Sequence, residues 1–303
     1  MAEILFLGTG ASLPSRDRSP SCVAVRLKRD IALFDCGEGA QRQMMLSPFS
    51  FMKVACILIT HMHGDHVFGL PGIIQTMSMS GRKEPLTVCG PEGIREYLDA
   101  VLSICEGNIC YQLDVVEVSP GYEVEFREFS VSVFETDHVV ASVGYVLREH
   151  DQKGRFDREK AISLGLSPGP DFARLRDGDT VNGVAPDSVI EPPAKGLSVV
   201  YSGDTAPCKG LDDAALGTDI LIHEATYADS EKHMAAKFKH STSLQAAELA
   251  KKSGCRHLFI THVSNRYDDR KMLEAEARET FPDTDLAEDF RLFLVTKDSV
   301  RSV

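Results

Sequence analysis

The sequence predicts an α/β fold, on three observations. Short apolar, β-rich runs alternate with helical patterns in two stretches, a Gly/Pro-rich charged segment separates those stretches, and metal-ligand residue types collect where the runs end. In the first stretch residues 3–10, 22–27, 31–36, 55–60 and 86–90 read as strands, and residues 91–104 as a helix with a proline start. Residues 130–137 and 142–149 extend the sheet. In the second stretch residues 196–203, 219–226 and 256–263 read as strands, with a helix through 241–254 that Ser241 caps and Gly254 stops. A helix over 270–281 and a strand over 291–296 complete the chain. The two halves look like variations on one plan without a clear sequence repeat.

A chain of 303 residues, 43% hydrophobic and 26% charged, can bury a large core. Eight cysteines without a CxxC pair fall short of a disulfide scaffold and fit a reducing compartment. The N-terminus has an acid before its apolar run and no basic lead, and no apolar run approaches the roughly 20 residues of a membrane span. These features predict a soluble, cytoplasmic protein without membrane attachment. The net charge of −12 argues against a non-specific polyanion binder, because counterion release rewards basic surfaces. It leaves room for a nucleic-acid enzyme whose positive charge is local or supplied by metal. With no Trp and 7% aromatics there is no base-stacking platform.

Residues 148–195 differ from both stretches in their Gly, Pro and charge content. From Arg148 to Asn182 basic and acidic residues are equal in number, so the segment is neutral and the remainder carries the whole charge. Most such loops are solvated insertions. The sharper expectation is an arm that meets an anionic partner, with Lys153, Arg155, Arg158, Lys160, Arg174 and Arg176 making the contacts.

The chemistry centres on His61-Met62-His63-Gly64-Asp65-His66, which follows the apolar run CILI. Alternate side chains of an extended backbone share a side, so His61 and His63 can face one ion while Asp65 and His66 arrive from the next turn. Packing alone gives no reason to crowd three imidazoles and a carboxylate at the end of a buried strand. His138, Asp204 and His262 stand where three other strands end, along the edge where an α/β sheet collects its site. These seven groups can satisfy two Zn2+ ions if one carboxylate bridges, with manganese or iron as substitutes. Paired ions about 3.5–4 Å apart suit hydrolysis of a phosphoryl or carbonyl centre. His150, His233 and His257 have polar or basic neighbours and read as solvent-facing.

The motifs HMHGDH, His138, SGDT (202–205) and THVS (261–264) resemble the metal motifs of the metallo-β-lactamase fold over essentially the whole chain. The resemblance implies a four-layer αββα sandwich, one domain over 1–303, with a protruding arm inserted at 148–195. Narrower features resemble the tRNase Z family: FLGTGASLP, FDCGEGAQRQ, His223-Glu224-Ala225-Thr226, His240-Ser241-Thr242, the tail after His262, and SPGPDFARLRDGDTV in the arm. That family removes the 3′ trailer of precursor tRNA, leaving a tRNA 3′-hydroxyl and a trailer 5′-phosphate.

The resemblance implies that His61, His63 and His138 hold one Zn2+ and Asp65, His66 and His262 the second, with Asp204 bridging. It also implies Asp65 as general base and His240, held by Glu224, as the acid for the leaving oxygen. His223 would fix a ligand's tautomer. Ser264 and Arg266 would contact phosphate, as would Arg16 and Arg18 in the loop Pro14–Ser19, where the family's PxKxRN pattern has Lys and Asn in place of Arg16 and Ser19. A homodimer is implied, one subunit's arm holding the tRNA that the other cleaves. The alternative is a small-molecule phosphodiesterase or arylsulfatase on the same fold, for which the arm has no use. A non-catalytic RNA-binding scaffold would lack ligands, and none is missing.

Overall fold

The computed structural model describes residues 1–105, 108–151 and 154–303, and Lys153 lies outside them. Strands β1 (Ala2–Gly8), β2 (Cys22–Leu27) and β3 (Asp30–Phe34) pair antiparallel in sequence order, and β4 (Val54–Leu58), β5 (Leu86–Gly90) and β6 (Leu113–Glu117) continue from β3 in parallel. A second sheet holds β7 (Glu123–Glu125), β8 (Phe129–Glu135), β9 (Val143–Glu149), β10 (Ser198–Tyr201), β11 (Ile220–Glu224), β12 (His257–Thr261) and β13 (Thr284–Leu286), adjacent in chain order. Its β10 to β13 are parallel. The chain then returns to the first sheet, where β14 (Leu292–Val295) pairs with β1 and β15 (Val300–Ser302) forms the edge.

Helices α1 (Ala40–Leu46), α2 (Gly64–Val67), α3 (Leu70–Met79) and α4 (Ile94–Ile104) accompany the first sheet, and α5 (Arg158–Ser163) and α6 (Pro170–Arg176) lie between β9 and β10. Helices α7 (Lys209–Ala215), α8 (Lys232–Phe238), α9 (Ser243–Ser253) and α10 (Lys271–Thr280) follow. One core, including Phe6, Phe34, Tyr145, Tyr201, Phe259 and Phe293, fills the space between the sheets, with the Phe6 and Phe259 ring centroids 5.3 Å apart. A second joins the first sheet to α1, α3 and α4, and a third joins the second sheet to α7, α9 and α10. The layers are therefore αββα. Period-two alternation assigns the faces: on β11, Ile220 and Ile222 enter the inter-sheet core while Leu221 enters the helix-facing one.

The molecule divides into two compact units, Met1–Arg148 with Leu197–Val303, and Glu149–Gly196. The smaller unit has its own core of Ala161, Leu166, Phe172, Leu175, Val181 and Val189. There the Phe156 and Phe172 ring centroids are 4.8 Å apart, and the Arg176 guanidinium sits 5.0 Å from the Phe156 centroid. Its cations Arg155, Arg158, Lys160, Arg174 and Arg176 are exposed.

Several elements differ from expectation for local reasons. The strands expected at 3–10, 55–60, 130–137 and 196–203 end two residues early, because the last residues leave the ladder and bend toward the site. Helix α9 is capped by Thr242, whose hydroxyl accepts from Gln245 N–H while the Gln245 side chain accepts from Thr242 N–H. Ser241 instead donates to the Thr205 carbonyl at 2.7 Å. Gly254 stops α9 with φ +69°. Helix α4 begins after Gly93 rather than at Pro91. Strands β6, β7, β13 and β15 are only three to five residues long and mix buried, half-buried and exposed positions, so they lack a clear apolar signature. His150 and His233 are exposed as expected, whereas His257 is half-buried with its Nε2 3.0 Å from Asp285 Oδ2. All eight cysteines are free. Among the described residues no helix is long and apolar enough to cross a membrane.

Candidate metal centre

The two sheets present the carboxyl ends of their parallel strands along one edge, and Val143 N–H donates across them to the Thr60 carbonyl at 2.9 Å. There β4 delivers His61 and His63, α2 delivers Asp65 and His66, and the ends of β8, β10 and β12 deliver His138, Asp204 and His262. Gly203 makes one approach possible: its φ is +58°, and a Cβ would lie 2.7 Å from Thr60 Cβ. Asp204 sits at the middle. Its Oδ2 is 3.3 Å from His262 Nε2, 3.5 Å from His66 Nε2, 3.8 Å from His61 Nε2 and 4.0 Å from His240 Nδ1. His63 Nδ1 lies 3.0 Å from His61 Nε2 and 3.4 Å from His138 Nε2. Asp65 Oδ2 lies 3.4 Å from His66 Nε2 and 3.5 Å from His262 Nε2. Donor atoms thus group as His61-His63-His138, His61-His66-Asp204 and Asp65-His66-His262.

Each inward-facing Nε2 is defined by what its ring's other nitrogen bonds. His66 Nδ1–H donates to Asp35 Oδ2 at 2.8 Å, and His138 Nδ1–H to the Lys239 carbonyl at 3.0 Å. Thr60 Oγ1 donates to Asp35 and so accepts from His61 Nδ1–H at 3.0 Å. Thr226 repeats the device, donating to Glu224 Oε2 at 2.7 Å and accepting from His262 Nδ1–H at 2.9 Å. With the proton on Nδ1, the Nε2 lone pair faces inward.

Burial opposes charge on His61, His66, Asp65, Asp204 and His240, and the neighbours decide the outcome. Burial pushes the His61 imidazole well below its usual range, reinforced by His66. Against burial, Asp204 and Asp35 hold His66 well above that range, while the opposing histidines hold Asp204 well below the usual carboxylate range. Asp65 also lies well below it, through its proximity to the His262 and His66 rings. For His240, burial is outweighed by Glu224, whose Oε1 accepts from Nδ1–H at 2.8 Å, and by Asp204, raising it to about 9. Both acids therefore favour the protonated form of His240.

Two buried nitrogens, His66 Nε2 and His262 Nε2, have no hydrogen-bond partner, although each faces two carboxylates at 3.3–3.5 Å. Buried imidazole nitrogens left beside anionic oxygens without a hydrogen bond are costly unless positive charge, a proton or a metal ion, lies among them. The imidazole and carboxylate donors, with no thiolate among them, fit a borderline divalent ion.

A cleft of about 450 Å3 opens on this centre, lined among others by Asp65, Tyr227, Phe238, His240, Ser264 and Arg266. The Arg266 guanidinium lies 4.7 Å from the Tyr227 centroid and 2.8 Å from Glu231. Arg16 is exposed in its loop. Arg18, expected to face substrate, is 6% exposed, because its guanidinium turns inward to Thr9 Oγ1 at 2.9 Å. His223 donates to the Glu224 carbonyl at 2.6 Å and shares the strand face of Leu221, away from Glu224, so tautomer control falls to other groups. Those groups, Asp35, Thr60, Thr226 and the Lys239 carbonyl, escaped the sequence reading. Asp35 and Thr226 lie inside the motifs FDCGEG and HEAT, which was the available signal.

Metallo-β-lactamase fold proteins share this architecture: one from Bacillus subtilis superposes with a TM-score of 0.69 at 16% identity, covering 96% of this chain and 98% of its own. This chain is a protein of that fold. A family model described as Anti-Pycsar protein Apyc1 matches residues 2–155. Similarity over nearly the full length is more specific. Ribonuclease Z of Methanosarcina mazei is 47% identical over 95% of this chain and 96% of its own. That of Bacillus licheniformis is 40% identical over 95% of this chain and 97% of its own. Human tRNase Z, short form, superposes with a TM-score of 0.73 at 27% identity, covering 97% of this chain and 99% of its own. The chain belongs to the ribonuclease Z family.

Asp35→Asn should keep the fold but loosen the tether on His66. Losing such a support typically weakens metal binding by about 10–100-fold. Competition against a chromogenic zinc chelator, with circular dichroism as the fold control, measures it; unchanged affinity would remove Asp35 from the centre's construction.

Proposed function

We propose that this chain is a zinc-dependent endoribonuclease that removes the 3′ trailer of precursor tRNA, leaving a tRNA 3′-hydroxyl and a trailer 5′-phosphate. The observation that carries the reading is the pair of orphaned imidazole nitrogens facing Asp65 and Asp204, next to His240 held by Glu224 at 2.8 Å, in a chain similar to ribonuclease Z over 95% of its length. His61, His63 and His138 would hold one Zn2+, Asp65, His66 and His262 the second, and Asp204 would touch both. When bound, the ions would supply Lewis acidity toward a phosphoryl oxygen and a water of lowered pKa. Asp65, held by Ser12 N–H at 2.9 Å, orients the attacking water and accepts its proton. His240 gives its Nε2 proton to the leaving 3′-oxygen while Glu224 fixes the ring. Ser264 and Arg266 line the cleft where flanking phosphates would pass.

A body of strongly negative charge repels the rest of a tRNA, so grip falls to the segment 148–195. Its independent core supports fixed presentation of Arg155, Arg158, Lys160, Arg174 and Arg176. A homodimer fits the apolar side chains left exposed by the first helical layer: Met45 and Leu46 of α1, Phe68, and Met79 of α3. Eight free cysteines suit the cytoplasm.

An end-labelled pre-tRNA incubated with the purified protein should be cut once beside the discriminator base. Chelator should abolish the cut, and Asp65→Ala should slow it by about 10²–10⁴-fold or more, since base and ligand are lost together. No cut there would favour a small-diester substrate. His240→Ala should slow cleavage of the normal substrate far more than that of one with a 3′-bridging sulfur, which leaves without a proton. Equal slowing would show that His240 positions something else.

Replacing residues 152–182 by a short Gly/Ser linker should preserve hydrolysis of bis(p-nitrophenyl) phosphate, because every donor of the centre lies outside the segment. Binding of pre-tRNA in a filter assay should weaken by about tenfold or more, since each lost phosphate contact removes counterion release. Wild-type affinity would make the segment a solvated insertion.

A further inference from the structure

The loop that leaves β1 reaches the metal centre through one strained turn. Ser12 has φ +61°, and Leu13 N–H donates back to the Ala11 carbonyl at 2.7 Å. This tight three-residue turn with positive φ is rarely adopted by a residue with a side chain. It aims Ser12 N–H at Asp65 Oδ2, the oxygen that faces both His66 and His262. Such a conformation persists only where its surroundings over-determine it. Part of the support is local: Ala11 N–H donates to the Val263 carbonyl at 3.2 Å, and Asn265 Nδ2 donates to the Leu13 carbonyl at 2.8 Å.

The rest comes from the neck, where the chain departs and returns. Gly10 N–H donates to the Ser19 carbonyl at 3.0 Å, and the strands approach so closely that a Cβ on Gly8 would lie 1.8 Å from the Pro20 carbonyl oxygen. Asp289, remote in sequence, bonds both sides of this neck. Its Oδ1 accepts from Thr9 Oγ1 at 2.7 Å, and its Oδ2 accepts from Ser19 N–H at 2.8 Å and from Gln43 Nε2 at 3.1 Å. Arg18 completes the network by donating to Thr9 Oγ1 from a buried position. The turn carrying Asp289 is itself fixed: Phe290, at φ +66°, donates from its N–H to the Phe6 carbonyl at 2.7 Å.

We propose that Asp289 is a positioning residue for the reaction: by clamping Thr9 to Ser19 it closes the neck of loop 10–18 and so holds Ser12 N–H against Asp65. The proposal rests on the reading of Asp65 as base and ligand. It assigns Arg18 to the clamp rather than to substrate. Because Asp65 serves any phosphodiester, loosening the clamp lowers kcat for pre-tRNA and for a small diester alike, whereas a loop that only touched RNA would change KM for pre-tRNA alone.

The test uses the full-length protein carrying Asp289→Ala or Thr9→Val, with Asp289→Glu as the variant that retains a carboxylate. Hydrogen exchange followed by mass spectrometry should show the peptide over residues 9–20 exchanging about tenfold faster in Asp289→Ala, with the β-sheet peptides unchanged. In the same variant kcat should fall about tenfold for trailer removal and for bis(p-nitrophenyl) phosphate, with KM changed less than about twofold, as expected when a catalytic group is slightly misplaced. Thr9→Val should move both readouts in the same direction by less, and keeps the test open if Asp289→Ala fails to fold. Asp289→Glu should recover part of kcat. Unchanged exchange over residues 9–20, or faster exchange with kcat kept for both substrates, would overturn the clamp. A wild-type protein that cuts the small diester but no pre-tRNA would overturn the ribonuclease reading instead, and leaves the exchange and small-diester measurements to judge the clamp.

Discussion

Four carboxylates and six imidazoles crowd one point at the strand ends, and the need to satisfy them shapes the structure around it. Asp35, Asp204 and Glu224 are all nearly inaccessible, at 0%, 3% and 1% exposure. A buried ion without compensation costs several kcal/mol, so each needs fixed donors. Asp35 receives Thr60, His66 and Tyr201, while Glu224 receives Thr205 N–H, Thr226 and His240. These donors come from both sheets. The inter-sheet packing of Phe34 against Tyr201, with ring centroids 5.1 Å apart, therefore also sets the polar geometry at the edge. A shift of one sheet over the other would break the Asp35 shell, which draws on Thr60 and Tyr201, whereas Glu224 draws its donors from the second sheet's side alone.

What the sequence made legible follows from how much chemistry a residue advertises. His61, His63, Asp65, His66, His138, Asp204 and His262 converge as their spacing implied, since a strand end has few places to point a side chain. Asp35, Thr60 and Thr226 did not stand out. An aspartate after a strand and a threonine beside a histidine are ordinary, and their role appears only when β3, β4 and β11 are brought together. Arg18 shows the converse: a loop cation reads as a substrate contact until Thr9 and Asp289 supply a buried polar site that it completes. The cap of α9 moved by one residue because the reciprocal side-chain cap depends on spacing, and Gln245 stands three residues from Thr242, not from Ser241. Short strands stayed hidden for want of periodicity.

Charge divides the molecule by task. The larger unit carries the acidity, and at the cleft it holds the Arg266 guanidinium 2.8 Å from Glu231. The unit over Glu149–Gly196 is only slightly acidic, with seven basic residues against nine acidic ones, and sorts its residues: apolar side chains form a core, and its described cations face solvent. A merely solvated loop has no cause to bury Phe172 and Leu175 at 7% and 0% exposure. Folding this segment on its own core keeps long cationic side chains on a fixed scaffold, which lowers the ordering entropy of any later contact.

Backbone strain is distributed by the same logic. Among the described residues seven non-glycine positions have positive φ, and four of them serve the centre directly. Ser12 aims its N–H at Asp65, Asp35 holds His66, Lys239 offers its carbonyl to His138, and His262 is itself a donor group. Each such residue costs about 1–3 kcal/mol, so together they offset an appreciable part of a typical net stability of roughly 5–15 kcal/mol. Packing alone gains nothing from them. The strain persists because the hydrogen bonds around each position leave no other conformation, and because a cation that binds only the folded arrangement returns stability to it by mass action. A centre built this way is held by its own hydrogen bonds, and such pre-organisation favours hydrolysis of a charged diester.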